Sequence, residues 1–270
     1  MLFRSVHVGA NVDLSFGNGK AVRVSPDVKA QYVFSDSYVL YAKATGGRQL
    51  NDFRRLETYN PYLDPGQEVR DTYEQLNAGL GFKASPTPGL WFDIFGGYQN
   101  LKDDLYQSAD QWIGGSGANY IALGQTNTDN FYAGIKASYE YKDLFALSAG
   151  GTYYHWNTDN KGTDSKALSY DEALLMKPEF DFGIHAEVHP IPALWLNAGY
   201  QYTRRAERYS VAYGKSIPAV SNLSLGATYK IFKGISAYVK ADNLLNKKYQ
   251  YYLYYPVEGI NFVGGLSFQF

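Results

Sequence analysis

Cysteine is absent from the 270 residues, which removes disulfide frameworks, thiolate metal sites and thiol nucleophiles together. No apolar run approaches the ~20 residues that a transmembrane helix needs. The start, Met1-Leu2-Phe3-Arg4-Ser5, has no charged stretch leading into an apolar one and a cleavage site, so a secretion signal is expected to have been removed or to lie upstream. Net charge is missing too. Lys and Arg total 25 against 26 Asp and Glu, a formal charge of -1, and no overall field draws the chain to nucleic acid or acidic lipid. Leu and Ala do not dominate as they would in a helical protein.

What is abundant is tyrosine and glycine, 26 and 27 residues, with aromatics at 17%. This profile favours strands. The mean hydropathy of -0.35 would ordinarily indicate a soluble protein. For strands that alternate lipid-facing and lumen-facing residues the average cancels and carries no such message.

Alternation at period two recurs along the chain. Leu223, Leu225, Ala227, Tyr229 and Ile231 interleave with Asn222, Ser224, Gly226, Thr228 and Lys230. Phe180, Phe182, Ile184, Ala186 and Val188 interleave with Asp181, Gly183, His185 and Glu187. The same rule predicts strands near Val6 to Phe16, Val22 to Phe34, Tyr38 to Gln49, Thr72 to Ala84, Leu90 to Leu101 and Asn127 to Lys142. Six more are predicted near Leu144 to His155, Pro178 to Val188, Leu194 to Arg205, Asn222 to Ile231, Ile235 to Asp242 and Ile260 to Phe270. Many exceed the ~5 to 6 residues of globular strands and approach the ~9 to 11 that cross a bilayer at a tilt.

The connections alternate as well. Short turns fall at Ser35 to Ser37, Ser85 to Gly89, Asp143, His189 to Ala193 and Phe232 to Gly234. Long polar or aromatic stretches fall near Leu50 to Asp71, Lys102 to Thr126, Trp156 to Lys177, Ala206 to Val220 and Asn243 to Gly259. Short turns on one side and long loops on the other are the asymmetry of outer-membrane barrels, periplasmic and extracellular respectively. The expected fold is therefore all-β, an antiparallel up-and-down transmembrane β-barrel of about twelve strands occupying residues 1–270 as one domain, with both termini in the periplasm.

At the end of the chain Phe262, Gly264, Leu266, Phe268 and Phe270 occupy alternate positions, with Asn261, Val263, Gly265, Ser267 and Gln269 between them. A terminal aromatic preceded by apolar residues at every second position resembles the signal read by the barrel-assembly machinery. Upstream, Tyr238 to Asp242 leads into Asn243-Leu244-Leu245-Asn246-Lys247-Lys248-Tyr249, then Pro256, Gly259 and Phe262. This C-terminal region resembles that of the TonB-dependent receptors, although Pro256-Val257-Glu258-Gly259 replaces their contiguous Pro-Gly-Arg. Pro26 to Thr45, with Tyr41-Ala42-Lys43 after a Ser-Asp-Ser turn, is similar to hairpins of the same family. The resemblance implies a plug followed by a barrel of about 22 strands. Here no plug domain is found in the sequence, and the chain has room for roughly half that barrel, so it is expected to be the C-terminal half of such a barrel or a small closed barrel.

No catalytic or metal constellation stands out. His7, His155, His185 and His189 do not cluster, and the four-residue spacing of His185 and His189 spans ~13 Å on a strand. Asp181, Glu187, Lys136, Glu140, Lys43 and Lys240 fall on the predicted lumenal face. The candidate ligand-binding residues are loop aromatics, Tyr59, Tyr62, Tyr106, Trp112, Trp156, Tyr252 and Tyr254, which can stack on a ligand, belong to a membrane girdle, or pack the loops.

These features, with the resemblance, imply a non-enzymatic transport protein in the outer membrane of a Gram-negative bacterium, taking up a bulky, scarce ligand. The partners implied are outer-membrane lipid, the barrel-assembly machinery through the strand ending in Phe270, and TonB only by way of a plug. No nucleic acid and no cofactor are expected. A passive porin-like channel, an outer-membrane hydrolase and a soluble β-sandwich are the alternative readings.

Overall fold

A computed structural model describes residues 3–17, 20–64, 66–108, 121–159, 173–205 and 217–269. Trp112 and the terminal Phe270 lie outside the described residues. Twelve strands form one antiparallel sheet in chain order. They are β1 (Phe3–Leu14), β2 (Val22–Ser35), β3 (Tyr38–Gln49), β4 (Thr72–Thr87), β5 (Leu90–Ser108) and β6 (Ala122–Tyr141), then β7 (Phe145–Thr158), β8 (Pro178–Ile191), β9 (Leu194–Arg205), β10 (Val220–Phe232), β11 (Ile235–Asp242) and β14 (Asn261–Phe268). A helix α1 (Phe53–Tyr59) and a small hairpin of β12 (Gln250–Tyr252) and β13 (Tyr255–Pro256) complete the elements. Each strand pairs with its neighbours in sequence, the up-and-down arrangement expected. Among the described residues no pairing joins β1 to β14, so both outer edges of the sheet carry backbone groups without a strand partner.

The register converts the period-two pattern into two continuous faces. One apolar row runs Val28, Ala44, Ala78 on β2, β3 and β4, and another runs Ile94, Ile135, Gly151 on β5, β6 and β7. The same face continues through Ala149, Ile184, Tyr200 and Leu223 to Ala241 and Phe262. Its large side chains are exposed, among them Val8, Leu80, Ile135, Leu225 and Leu266. The opposite face carries Lys43, Lys136, Glu140, Asp181, Glu187 and Lys240, the charged set assigned to the lumen from sequence. A patch of outward apolar residues on this scale is foreign to a monomeric soluble protein.

β5 and β6 run further than the alternation suggests, with Ala122 to Ser108 still paired. The register shifts between Leu101 and Asp104, and Asp103 takes a positive φ of 52°. That bulge inverts the facing of the residues beyond it, which hides the continuing strand from a period-two reading. The short helix α1 starts at Asp52, whose carboxylate accepts from the Arg55 amide at 2.9 Å, an N-cap within a stretch otherwise legible only as loop.

The long connections are not independent. Ile121, Leu175, Ile217 and Leu253 form one buried core, with Leu63, Met176 and Tyr255 packed against it. These residues come from all five long connections, so the loop end of the sheet is capped by a single apolar cluster. Gln107, on the extension of β5, accepts at Oε1 from the Asn60 side chain at 3.1 Å and from the Leu253 amide at 2.9 Å. This ties the first and last long connections to one strand.

Candidate functional site

The polar face of β3 to β7 is built as four rows, one every second residue, ~6.8 Å apart along the strands. Lys83, Asp93 and Lys136 are in register on β4, β5 and β6. The next row toward the loops holds Tyr41, Gly81, Phe95, Gly134 and Thr152. Then come Lys43, Gly79, Gly97, Tyr132 and Tyr154, and finally Asn77, Gln99, Asn130 and Trp156. Apart from Gly81, Gly97 and Gly134, these residues line a cavity of about 430 Å³.

Two tyrosines shape its floor by lying across the sheet. A Cβ at Gly81 would collide with the Tyr41 ring, and a Cβ at Gly97 with the Tyr132 hydroxyl, so both positions require glycine. Across Gly81, Tyr41 donates to both oxygens of Asp93, at 2.9 and 3.1 Å. Across Gly97, Tyr132 donates to Asn77 Oδ1 at 2.9 Å. Asp93 is thereby held at 9% exposure by a neutral donor. Lys83 and Lys136, its neighbours on either side, lean instead over the rings of Tyr41 and Phe95, each 5.3 Å from the centroid. Among the described residues Lys43, Lys83 and Lys136 form no ion pair. At its loop-side end stand Asn130 and Trp156, whose Oδ1 and Nε1 are buried with no hydrogen-bond partner among the described residues.

A second hollow of about 650 Å³ follows on the same face, lined by Asp181, His185, Gln201 and Asn222 among others, with Lys136 shared between the two. Three of the four histidines are engaged locally. His7 contacts Asp27 at 3.2 Å, His185 contacts Glu187 at 3.0 Å, and His189 contacts the Asp143 carbonyl at 3.0 Å. Among the described residues no group of three metal-ligating side chains gathers.

The sequence-predicted aromatics separate into different environments. Trp156 lines the polar-face cavity, with Lys177 Nζ 4.5 Å from its ring centroid. Tyr62 stacks on Tyr255 at 3.5 Å and 5°, and meets Tyr252 edge-on at 5.9 Å, within the loop cluster. Tyr59 donates to the Leu105 carbonyl at 3.2 Å, and burial raises its phenol pKa above the ordinary value. The Tyr106 ring covers Gly124 on the adjacent strand. Tyr254 takes φ 67° at the tip of the small hairpin, its amide donating to Gln250 Oε1 at 2.9 Å. The structure adds Tyr41, Lys83 and Asp93, which sequence reasoning passed over. Their signal was the glycine opposite a tyrosine one strand away, readable only once the register is known.

The family-marking run Asn243 to Tyr249 has a structural role. Asn243 sits at φ 53° and is 2% exposed. Its side chain donates to the carbonyls of Lys247 and Glu258 at 2.9 and 2.8 Å, and accepts from the Lys247 amide at 3.0 Å. One asparagine thus clasps both ends of the last long connection.

No protein-family model matches the sequence, and no curated protein matches it. Solved structures do. The pyoverdine outer membrane receptor FpvA from Pseudomonas aeruginosa PAO1 superposes with a TM-score of 0.65 at 16% identity, over 99% of this chain and 40% of that one. The ferric-catecholate import receptor Fiu from E. coli K12 gives 0.62 at 13% identity, over 99% and 41%. The siderophore receptor PiuA from Acinetobacter baumannii gives 0.62 at 14%, over 96% and 38%. The chain spans about 40% of the length of these receptors. At such identity the likeness speaks for architecture, and the fold of this chain is that of part of the β-barrel of a TonB-dependent receptor.

Proposed function

We propose that this chain forms part of the wall of an outer-membrane transport barrel in a Gram-negative bacterium, its polar face lining the passage of a bulky, scarce ligand. The observation that carries this reading is the division of twelve long strands into one exposed apolar face and one polar, cavity-bearing face. Only lipid solvates the first without cost, and water or a ligand suits the second. Unpaired edges on β1 and β14 support a wall that is completed by further strands, because open edges in hydrocarbon leave backbone groups unsatisfied. The names of the similar structures, receptors for pyoverdine and for ferric catecholate, support uptake over passive conduction.

Expression of the full-length protein followed by membrane fractionation and unboiled gel electrophoresis tests the reading. It predicts recovery in the outer membrane with heat-modifiable migration. Recovery of a folded protein from the soluble fraction would overturn it.

A further inference from the structure

At the loop end of the sheet the apolar face gives way to a groove of about 660 Å³ lined by four cations, Lys20, Arg23, Arg70 and Lys102. Its walls belong to the outward side. Val22 and Val24, 57% and 63% exposed, share the parity of Val28 along β2, and Lys102 shares that of Ile94 and Tyr98 along β5. Below the groove the outward positions of β2 are Val24, Pro26, Val28, Ala30 and Tyr32, ~27 Å of strand at ~3.4 Å per residue. Tilted, that length spans most of the ~25 Å apolar band of an outer-membrane barrel, which puts the groove at headgroup level. The carboxylates nearby do not use up the cations. Asp103, at the β5 bulge, takes Arg23 at 3.0 Å and Arg70 at 3.6 Å, and Asp159 takes Lys102 at 3.5 Å. Asp13 and Asp71 line a smaller adjoining cavity, where Arg48 contacts Asp71 at 2.7 Å. Lys20 forms no ion pair among the described residues, and both it and Arg70 are exposed.

From this arrangement we infer that the groove binds the phosphate headgroup of a membrane lipid in the leaflet at the loop end, with the acyl chains along the valine row of β2. Two features act together. Ammonium and guanidinium groups offer donors only, so they select an acceptor-rich anion, and a guanidinium matches phosphate with paired N–H bonds. The exposed Val22 and Val24 beside them give an acyl chain an apolar surface to cover, which a soluble phosphate could not do. Cations placed where the apolar strand ends meet both parts of one lipid molecule at once. The inference rests on reading the apolar face as the surface that meets lipid.

Native mass spectrometry of the full-length protein, purified from membranes in detergent, tests the inference with three probes. Dioleoyl phosphatidic acid carries phosphate and chains, dioleoylglycerol keeps only the chains, and glycerol 3-phosphate keeps only the phosphate. Phosphatidic acid is expected to bind saturably, at a concentration roughly tenfold or more below that required by either control. At about fivefold per cation removed, the Lys20→Gln, Arg70→Gln double variant should weaken it about thirtyfold and Lys102→Gln about fivefold. The backbone of Arg70 keeps its two bonds to the Gln125 side chain, each 2.7 Å, in the double variant. Lys233→Gln, at an exposed lysine in a short turn at the opposite end of the sheet, should leave binding unchanged. Retained heat-modifiable migration certifies the fold of each variant. Equal binding of dioleoylglycerol would reduce the groove to general apolar surface, and equal binding of glycerol 3-phosphate would make it a site for a soluble anion. Absence of saturable binding, indifference to the double variant, or an equal loss in Lys233→Gln would likewise overturn the inference. Each of these outcomes leaves outer-membrane recovery as it was, so failure of the site is distinguishable from failure of the transport reading.

Discussion

The Tyr41 hydroxyl on β3 reaches over β4 to donate to both carboxylate oxygens of Asp93 on β5, at 2.9 and 3.1 Å. A bond that skips a strand is feasible only because Gly81 lies beneath the ring. Tyr132 repeats the device over Gly97 to reach Asn77. The abundance of tyrosine and glycine noted in the composition is therefore partly a matter of pairs, a ring on one strand and a missing side chain on the next.

Removing the donor should cost more than removing both partners. Tyr41→Phe leaves a buried carboxylate without its hydroxyl and is expected to destabilise by about 1–3 kcal/mol. Adding Asp93→Asn to that variant is expected to recover part of the loss, since an amide is cheaper to leave unpaired than a charge. Urea unfolding of the four proteins of this cycle, in lipid vesicles, gives the coupling directly. Strict additivity of the two changes would refute the bond.

Asn243 offers a test of the terminal motif. Its replacement by alanine removes three hydrogen bonds that close the connection between β11 and β14. The expected cost is about 2–3 kcal/mol at ~1 kcal/mol per bond, concentrated in that connection. Limited tryptic digestion should cut faster after Lys247 and Lys248 in Asn243→Ala while the strands stay protected.

All twelve sheet strands were legible in the sequence, because each carries one apolar face and so alternates with a period of two over most of its length. Where the backbone departs from that period the reading fails. The bulge at Asp103 conceals the outer parts of β5 and β6, and the β12–β13 hairpin has too few residues to show alternation. The site was half legible. Lys43 and Lys136 were assigned to the polar face by parity alone, but their convergence with Lys83, Asp93 and Tyr41 depends on inter-strand register. Trp156, chosen as a loop aromatic, lies on β7 and faces the cavity. Tyr62 and Tyr252 meet in the loop cluster, an outcome set by packing among five connections that no local pattern encodes.

That cluster should behave as one unit. Leu253 is fully buried within it, and Leu253→Ala is expected to cost the cap about 2–5 kcal/mol through lost contacts and a residual cavity. Hydrogen exchange should rise together around Leu63, Ile121, Leu175 and Ile217, which lie on four other connections. A rise confined to the β12–β13 hairpin would show that the connections are independent.

Alkaline pH should loosen the same region. Burial raises the pKa of Tyr59 and, with the Tyr251 hydrogen bond, that of Tyr249 above the ordinary phenol value of 10.0. The unfolded chain releases these protons at pH 10 while the folded one retains them. The contribution of neutral phenols is thus full below about pH 10 and is lost as pH rises toward the folded values. Unfolding midpoints of the wild type should fall above pH 10, and a Tyr59→Phe, Tyr249→Phe double variant should fall less steeply over the same window.

The two faces can be distinguished by one charge placed on each. Ile135 on β6 is 52% exposed on the apolar face, paired with Ile94 and Gly151. Ser148 on the adjacent β7 is exposed on the polar face, paired with Ser138 and His185. If the first surface meets hydrocarbon, Ile135→Arg must bring a guanidinium there and is expected to destabilise by ~2–4 kcal/mol in vesicles, depending on depth. Ser148→Arg meets water and neighbouring polar groups, and its effect is expected to stay below ~0.5 kcal/mol, as for an exposed position. Both substitutions add the same long cation to the same sheet, so the change in net charge cancels in the comparison. Equal costs would mean that the two surfaces share a solvent, and the sheet would then have to be read as standing outside the membrane.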